Sequence, residues 1–434
     1  MDFRALLARA GPSQWLALLR RPAAIYLAAS IAGRLGSIVL VPIYARRLTL
    51  GEYGEYVLVQ TLIPLCPTVL SLCLVVGITR FFFTRKDPKE GSAVAVAVAR
   101  MALLVALVLT SVVLVGGYAL TSRFGGTLIN PGTLVTVCVA GLGATGTLAA
   151  DSLLRAQEKA TAVSLLQVGE FALTAVLGGV LVGVKGWGLT GALVATALAS
   201  GITGIVAATY VLTREAAPIT RTLVREAMRL SFPFIPHFLA VWAQSVSDRW
   251  ILGATAGAAS LGPYSVGAQL SSPCALVVSA WNQDRGNRTG ELYSREGLTG
   301  LRAQMTRIRL GYVAASLLPA VPLLLGMPLL RLFVGARMEG GLVFVLPMIV
   351  VLTVEALYHP HNHVVYFSGH VAWVPAVTGL SAVVSVAAGF LLIPSFGSLG
   401  AVLARGVGAS VRTLAMWLAA ERCFRMGPAD APAS

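Results

Sequence analysis

"FPFIPHFLAVWAQSVSDRWILGATA", residues 232–256, is twenty-five residues long and carries one pair of charges, Asp248 beside Arg249. As a helix it rises about 1.5 Å per residue, enough to cross a hydrocarbon layer about 30 Å thick. A water-soluble core offers no reason for such length without a polar face. Lipid does, because there every backbone group must be bonded inside its own segment. The same texture fills the chain: of 434 residues 56% are hydrophobic and only 12% charged. The mean hydropathy of +0.80 excludes an ordinary soluble domain.

Apolar runs bounded by charge, glycine and proline predict twelve spans. They lie near 24–45, 54–78, 93–120, 131–152, 162–184 and 187–212, then 232–256, 263–282, 308–329, 342–365, 372–394 and 399–420. The organisation expected is an amphipathic segment at 1–23, an N-terminal lobe at 24–212, a linker at 213–231, a C-terminal lobe at 232–422 and a tail at 423–434. The polar stretches at 213–231 and 283–306 are too short to bury a core of their own. The fold class expected is thus an all-α polytopic membrane protein, with about twelve helices in two six-helix lobes around a central cavity.

The net charge of +15 reads differently once the spans are drawn. Alternate loops, counted with both ends of the chain on one side, hold 21 of the 33 Lys and Arg; the opposite loops hold 6, and 6 lie in spans. Basic loops mark the cytoplasmic side, so both termini are expected there and nucleic acid is not expected as a partner. The five cysteines sit in or beside apolar runs without CxxC spacing, as small core residues. "GLGATGTLA" lacks the lysine of a phosphate-binding loop, and no GxSxG occurs. Neither enzymatic activity nor a cofactor is expected.

Two short patterns recur at nearly one offset. Gly54 and Tyr56 of "GEYVLV" match Gly262 and Tyr264 of "GPYSVG", 208 residues on; Gly188 and Gly191 of "GLTGALVA" match Gly397 and Gly400 of "GSLGAVLA", 209 on. The spacing suggests a duplicated six-helix half, with both copies oriented alike because six is even. A composition rich in Gly and Ala yields chance matches too, and is common at membrane helix interfaces.

Charges within spans are the candidate site. Arg34, Arg249, Arg405 and Arg412 oppose Asp248, Glu170 and Glu355. An ionised side chain at the bilayer centre costs about 2.5–3.5 kcal/mol on insertion scales, so each is expected to face a wet interior or a partner. Arg405 and Arg412, seven apart, share a helix face. The small cationic excess suits an anionic substrate, and guanidinium binds phosphate through paired hydrogen bonds. Arg100 adds to the excess. Asp248 and Glu170 serve equally well as partners that hold helices together. Glu355, His359 and His363 in "EALYHPHNHVVYFSGH" are spaced for one helix face, but Pro360 interrupts it. Ion coupling through Glu355 or His359 and plain interfacial histidines both fit, and no metal site is expected.

"ARRLTLGEYGEYVLVQTL", "LLRAQEKATAVSLL", "LSFPFIPHFLAVWAQSVSDRWILGATAGAASLGPYSVGAQL" and "LLIPSFGSLGAVLA" resemble the polysaccharide-biosynthesis flippase family. That family, which includes O-antigen and exopolysaccharide repeat-unit flippases, lies within the multidrug/oligosaccharidyl-lipid/polysaccharide exporter superfamily. Its best-matched element is an Asp in span seven followed by Ile-Leu and a Gly-x-Tyr, here Asp248 and Tyr264. The resemblance implies a bacterial plasma-membrane protein that carries a polyprenyl-diphosphate-linked, anionic oligosaccharide to the outer leaflet by alternating access. Membrane lipids, and a glycan polymerase or glycosyltransferases, are the partners it implies. A cation-coupled multidrug exporter and a peptidoglycan-precursor flippase are the related alternatives. The His-rich end of span ten departs from the family pattern.

Overall fold

A computed structural model of the protein describes residues 39–85, 87–123 and 130–426. The amphipathic segment expected at 1–23, most of the first span with Arg34, and positions 427–434 of the tail lie outside the described residues. Every regular element among the described residues is helical. In chain order these are α1 (39–47), α2 (Leu50–Leu62), α3 (Cys66–Leu70), α4 (Leu74–Phe83), α5 (Pro88–Arg123), α6 (Pro131–Ala156), α7 (Ala160–Gly178), α8 (Gly188–Leu212) and α9 (Arg221–Ser231). Then come α10 (Phe234–Ala256), α11 (Ala258–Leu270), α12 (Ser272–Leu317), α13 (Ala320–Leu325), α14 (Met327–Val334), α15 (Val345–Ala356), α16 (Tyr358–Phe367) and α17 (Trp373–Met426).

Seven helices among the described residues are long and apolar enough to span a membrane, or eight if the bent pair Leu50–Leu70 and Leu74–Phe83 is one span. That pair bends by 55°. Pro64 and Pro67 remove backbone donors near the bend, and Leu72 and Cys73 adopt left-handed φ of 50° and 60°. Two helices among the described residues are long enough for two crossings. α17, at 54 residues, would reach about 80 Å if straight, but Gly397 breaks it with φ of 54°. α12 breaks at Gly297, φ 65°.

Residues 283–306 form no extended loop; α12 carries the helix through them, interrupted by Gly297 alone. Charge spacing explains it, since Asp284 meets Arg288 one turn on at 3.0 Å.

The chain divides into two compact units that are discontinuous in sequence. One contains Leu62–Leu181 and Leu193–Ile235; the other contains Leu40–Thr61, Val182–Ala192 and Pro236–Ser434. In the first unit, Leu74, Ile78 and Phe81 of α4 pack with Val94–Ala99 of α5, Leu153 of α6 and Val211 of α8. The short helix α9 closes this core with Leu223 and Ala227. Its start is capped by the Thr220 hydroxyl, which accepts from Leu223 N at 3.2 Å.

α6 crosses α8 with backbone almost on backbone. A Cβ on Gly143 would fall on the Ser200 carbonyl, and one on Gly146 would lie 2.8 Å from the Gly204 oxygen. Gly143→Ala is therefore expected to lower stability by about 1–3 kcal/mol, because neither backbone can yield without separating the helices. Gly116→Ala on α5, where nothing lies within 4 Å, should be neutral or stabilising. Thermal unfolding of both variants in one detergent checks this; equal midpoints would contradict the close crossing.

In the second unit the two repeated sequence patterns meet. Gly54 of α2 lies against the Ala258 carbonyl of α11, four residues before Gly262. Reciprocally, a Cβ on Gly262 would meet the Leu50 carbonyl, four residues before Gly54, at 3.2 Å. Position i of one copy touches position j of the other, and the converse holds, as across a two-fold axis. The second pattern repeats the relation in conformation: Gly188 has φ 55° and Gly397 φ 54°. Beside them, Leu189 N donates to Glu52 at 3.4 Å, and Ser398 Oγ donates to the Ser260 carbonyl at 3.3 Å.

Candidate functional site

The second unit gathers most of the charges predicted within spans. Asp248, 4% exposed on α10, accepts a hydrogen bond from the Tyr264 hydroxyl of α11 and another from Arg249 N at 2.8 Å. Tyr264 is itself fully buried. Gly257, with φ 81°, turns the chain between the two helices and so brings the tyrosine back to the aspartate. Arg249 sends its side chain elsewhere, and its buried Nε has no hydrogen-bond partner among the described residues. Adjacent residues on a helix point about 100° apart, which is why these neighbours do not pair side chain to side chain.

Deeper in the unit, Glu355 closes the last turn of α15 and accepts from Arg405 Nε of α17 at 3.4 Å. Neither side chain is sealed: Arg405 is 21% exposed and Glu355 25%. Arg405 also lies within electrostatic reach of Asp248 and Tyr264. Two helical turns along α17, Arg412 stacks its guanidinium on the Tyr358 ring, 4.9 Å from the centroid. Its Nε is buried and makes no hydrogen bond among the described residues. Thr413 ties the same turn to α15 through the Val354 carbonyl at 2.9 Å.

Counting charges along this ladder decides its character. Glu355 lies within electrostatic reach of both Arg405 and Arg412, and Asp248, held by a tyrosine, within reach of Arg405. Arg412 and Arg249 remain with ring contacts or no partner at Nε. Among these side chains guanidinium outnumbers carboxylate: Arg249, Arg405 and Arg412 stand against Asp248 and Glu355.

The histidines of α16 are taken up in packing and hydrogen bonds. His359 stacks on Tyr312, centroids 5.8 Å apart and planes 19° from parallel, and Tyr312 donates to Asn282 at 2.7 Å. His361 has Nε2 3.0 Å from Arg309 Nε and Nδ1 2.7 Å from the Leu357 carbonyl. A guanidinium can only donate and a carbonyl only accept, so this imidazole is neutral with its proton on Nδ1. His363 meets Phe367 edge-on. α15 ends at Ala356, before Pro360, so Glu355, His359 and His363 do not share one unbroken helix. Among the described residues no group of three His, Cys, Asp or Glu could hold a metal ion.

Two predicted charges belong to the first unit. Glu170 of α7 accepts from Ser200 Oγ of α8 at 2.6 Å, a bond between helices. Arg100 donates to the carbonyl of Leu212, the last residue of α8, at 2.8 Å and to that of Arg214 just beyond it. That role follows from helix ends leaving carbonyls unpaired. Sequence spacing missed Tyr264, Tyr358 and Tyr312 as partners. The Gly-x-Tyr repeat was the available signal for the first; the other two contacts join separate helices.

A model of the family described as "Polysaccharide biosynthesis protein" matches residues 19–283. No curated protein sequence matches significantly. Among solved structures, the chain is similar to the inward-facing conformation of a multidrug resistance MATE family transporter of the MOP superfamily, with TM-score 0.71 and 16% identity over 93% of this chain and 98% of that one. A MOP superfamily transporter from Pyrococcus furiosus, described as having a binding pocket of reverse polarity, gives 0.62 and 16% over 94% and 97%. A MATE protein in complex with MaD3S gives 0.63 and 18%, again over 94% and 97%. These likenesses show the fold, that of a multi-pass membrane protein, and the family match over more than half of the sequence establishes membership: the chain belongs to the polysaccharide biosynthesis protein family.

Proposed function

We propose that this protein is a flippase that moves a polyprenyl-diphosphate-linked oligosaccharide from the cytoplasmic to the outer leaflet of a bacterial plasma membrane. The observation that carries the reading is the arginine ladder of α17. Arg405 forms one ion pair, with Glu355, and Arg412 rests on a tyrosine with Nε unpaired. A diphosphate brings two or more negative charges, which such a surface binds and a cationic drug does not. Family membership supplies the glycan chemistry.

Twelve spans in two six-helix halves, with both termini cytoplasmic, complete this reading. The reciprocal Gly54 and Gly262 contacts and the matched left-handed glycines support a duplicated chain. Alternating access then requires the Gly54–Ala258 crossing to part and re-form. Glycosyltransferases that build the lipid-linked sugar, and a polymerase that joins it, are the partners this chemistry calls for. Similarity in fold to multidrug transporters favours a second reading, cation-coupled drug export. The excess of guanidinium over carboxylate along α17 weighs against it, since a bound cation needs the opposite.

Reconstitution tests the reading. Proteoliposomes loaded with a fluorescent polyprenyl-diphosphate oligosaccharide in one leaflet should equilibrate it across the bilayer within minutes, read as the fraction quenched by an impermeant reductant. Quenching no faster than in protein-free vesicles would refute flipping.

A further inference from the structure

α9 has chemistry that transport along α17 does not use. Its sequence, "RTLVREAMRLS", places Leu223, Ala227 and Ser231 at four-residue intervals against the first unit's core. Arg221, Arg225 and Arg229 have the same spacing on the opposite side, and all three are exposed. The helix's one acid, Glu226, is engaged by Arg85 at 3.4 Å, and none of the three arginines forms an ion pair among the described residues. Three uncompensated cations thus stand in a row along about 12 Å of helix.

Beside them the surface is apolar and hollow. Arg225, Met228, Arg229 and Phe232, spaced for one helical face, line an open cavity of about 550 Å³. Phe232 is 60% exposed and Phe234 is 40% exposed. Two guanidinium groups above two apolar side chains match an anionic headgroup whose acyl chains continue alongside. Water satisfies the arginines and leaves the phenylalanines uncovered; a bilayer interface satisfies both.

We infer that the groove formed by Arg225, Met228, Arg229 and Phe232 is a docking site for an anionic glycerophospholipid of the bilayer, with the headgroup phosphate on the two arginines and the upper acyl chain on Met228 and Phe232. Charge complementarity selects this occupant: a zwitterionic headgroup carries its own ammonium and gains little from two guanidinium groups. The site is independent of flipping, so its failure leaves the proposed function untouched.

Native mass spectrometry of the full chain, titrated with dioleoyl-phosphatidylglycerol or dioleoyl-phosphatidylcholine, tests it. The wild type should hold phosphatidylglycerol in preference to phosphatidylcholine, and Arg225→Gln with Arg229→Gln should weaken phosphatidylglycerol binding about 30-fold. Arg225→Lys with Arg229→Lys should retain most of it, because charge is kept. Should the glutamine variant fail to fold, the wild type decides: its phosphatidylglycerol affinity must fall as salt rises. Equal binding of both lipids, full retention by the glutamine variant, or insensitivity to salt would each overturn the inference. So would loss of polyprenyl diphosphate from the glutamine variant with phosphatidylglycerol unchanged, which would assign the groove to substrate.

Discussion

Glu355→Ala is expected to destabilise the protein by about 3–5 kcal/mol, since it leaves the Arg405 guanidinium inside the helix bundle without its carboxylate. The pair sits at 3.4 Å with roughly a quarter of each side chain exposed, so water replaces only part of what is lost. Replacing both residues with leucine should recover most of that stability, because no charge is then stranded. The comparison isolates pairing from packing. Unfolding midpoints of the wild type, the single and the double variant in one detergent read it directly. A double variant no more stable than Glu355→Ala would show that the ion pair is not what holds α15 to α17. The double variant should nevertheless be inactive, as it removes a cation from the proposed path.

Arg412→Gln is expected to do the reverse: little loss of stability and a large loss of flipping. The guanidinium contributes a ring contact worth about 0.5–1 kcal/mol, and no carboxylate depends on it at hydrogen-bond distance. Its unpaired Nε is a donor in waiting. A charge-assisted hydrogen bond to phosphate is worth about 1.5–3 kcal/mol, so flipping of a polyprenyl-diphosphate sugar should fall about 10- to 150-fold. Arg412→Lys should fall in between, keeping charge but losing the fork and the stacking on Tyr358. Undiminished flipping by a folded Arg412→Gln protein would remove this residue from the substrate path.

Much of this fold was legible because lipid is a demanding solvent. A run of twenty-five residues with one charge pair admits few structures, and the breaks at Pro64, Pro67 and Gly397 follow from lost donors and a left-handed φ. Four glycines carry the repeated pattern in the sequence, but their contacts were not legible there: Gly54 rests on Ala258 and Gly262 on Leu50. The polar stretch at 283–306 gave no secondary structure from hydropathy alone, whereas i,i+4 pairs such as Asp284 and Arg288 support the helix found there.

The site was legible as composition and opaque as pairing. Burial cost identifies Asp248, Glu355, Arg405 and Arg412 without naming a partner. Nothing in spacing says that Asp248 takes the Tyr264 hydroxyl across the Gly257 turn, or that Arg405 takes a glutamate 50 residues away. Arg100 shows the converse, a cation in an apolar span that serves the carbonyls at the end of α8. Arg34 lies outside the described residues and stays an expectation of the sequence.

In the proposed function guanidinium groups along α17 select an anionic lipid, and the sign of the transported charge tests this most directly. Wild-type proteoliposomes offered a labelled polyprenyl-diphosphate oligosaccharide and, in parallel, ethidium should move the first and not the second, with the difference abolished in Arg412→Gln. Movement of ethidium with no movement of the diphosphate lipid would contradict the account.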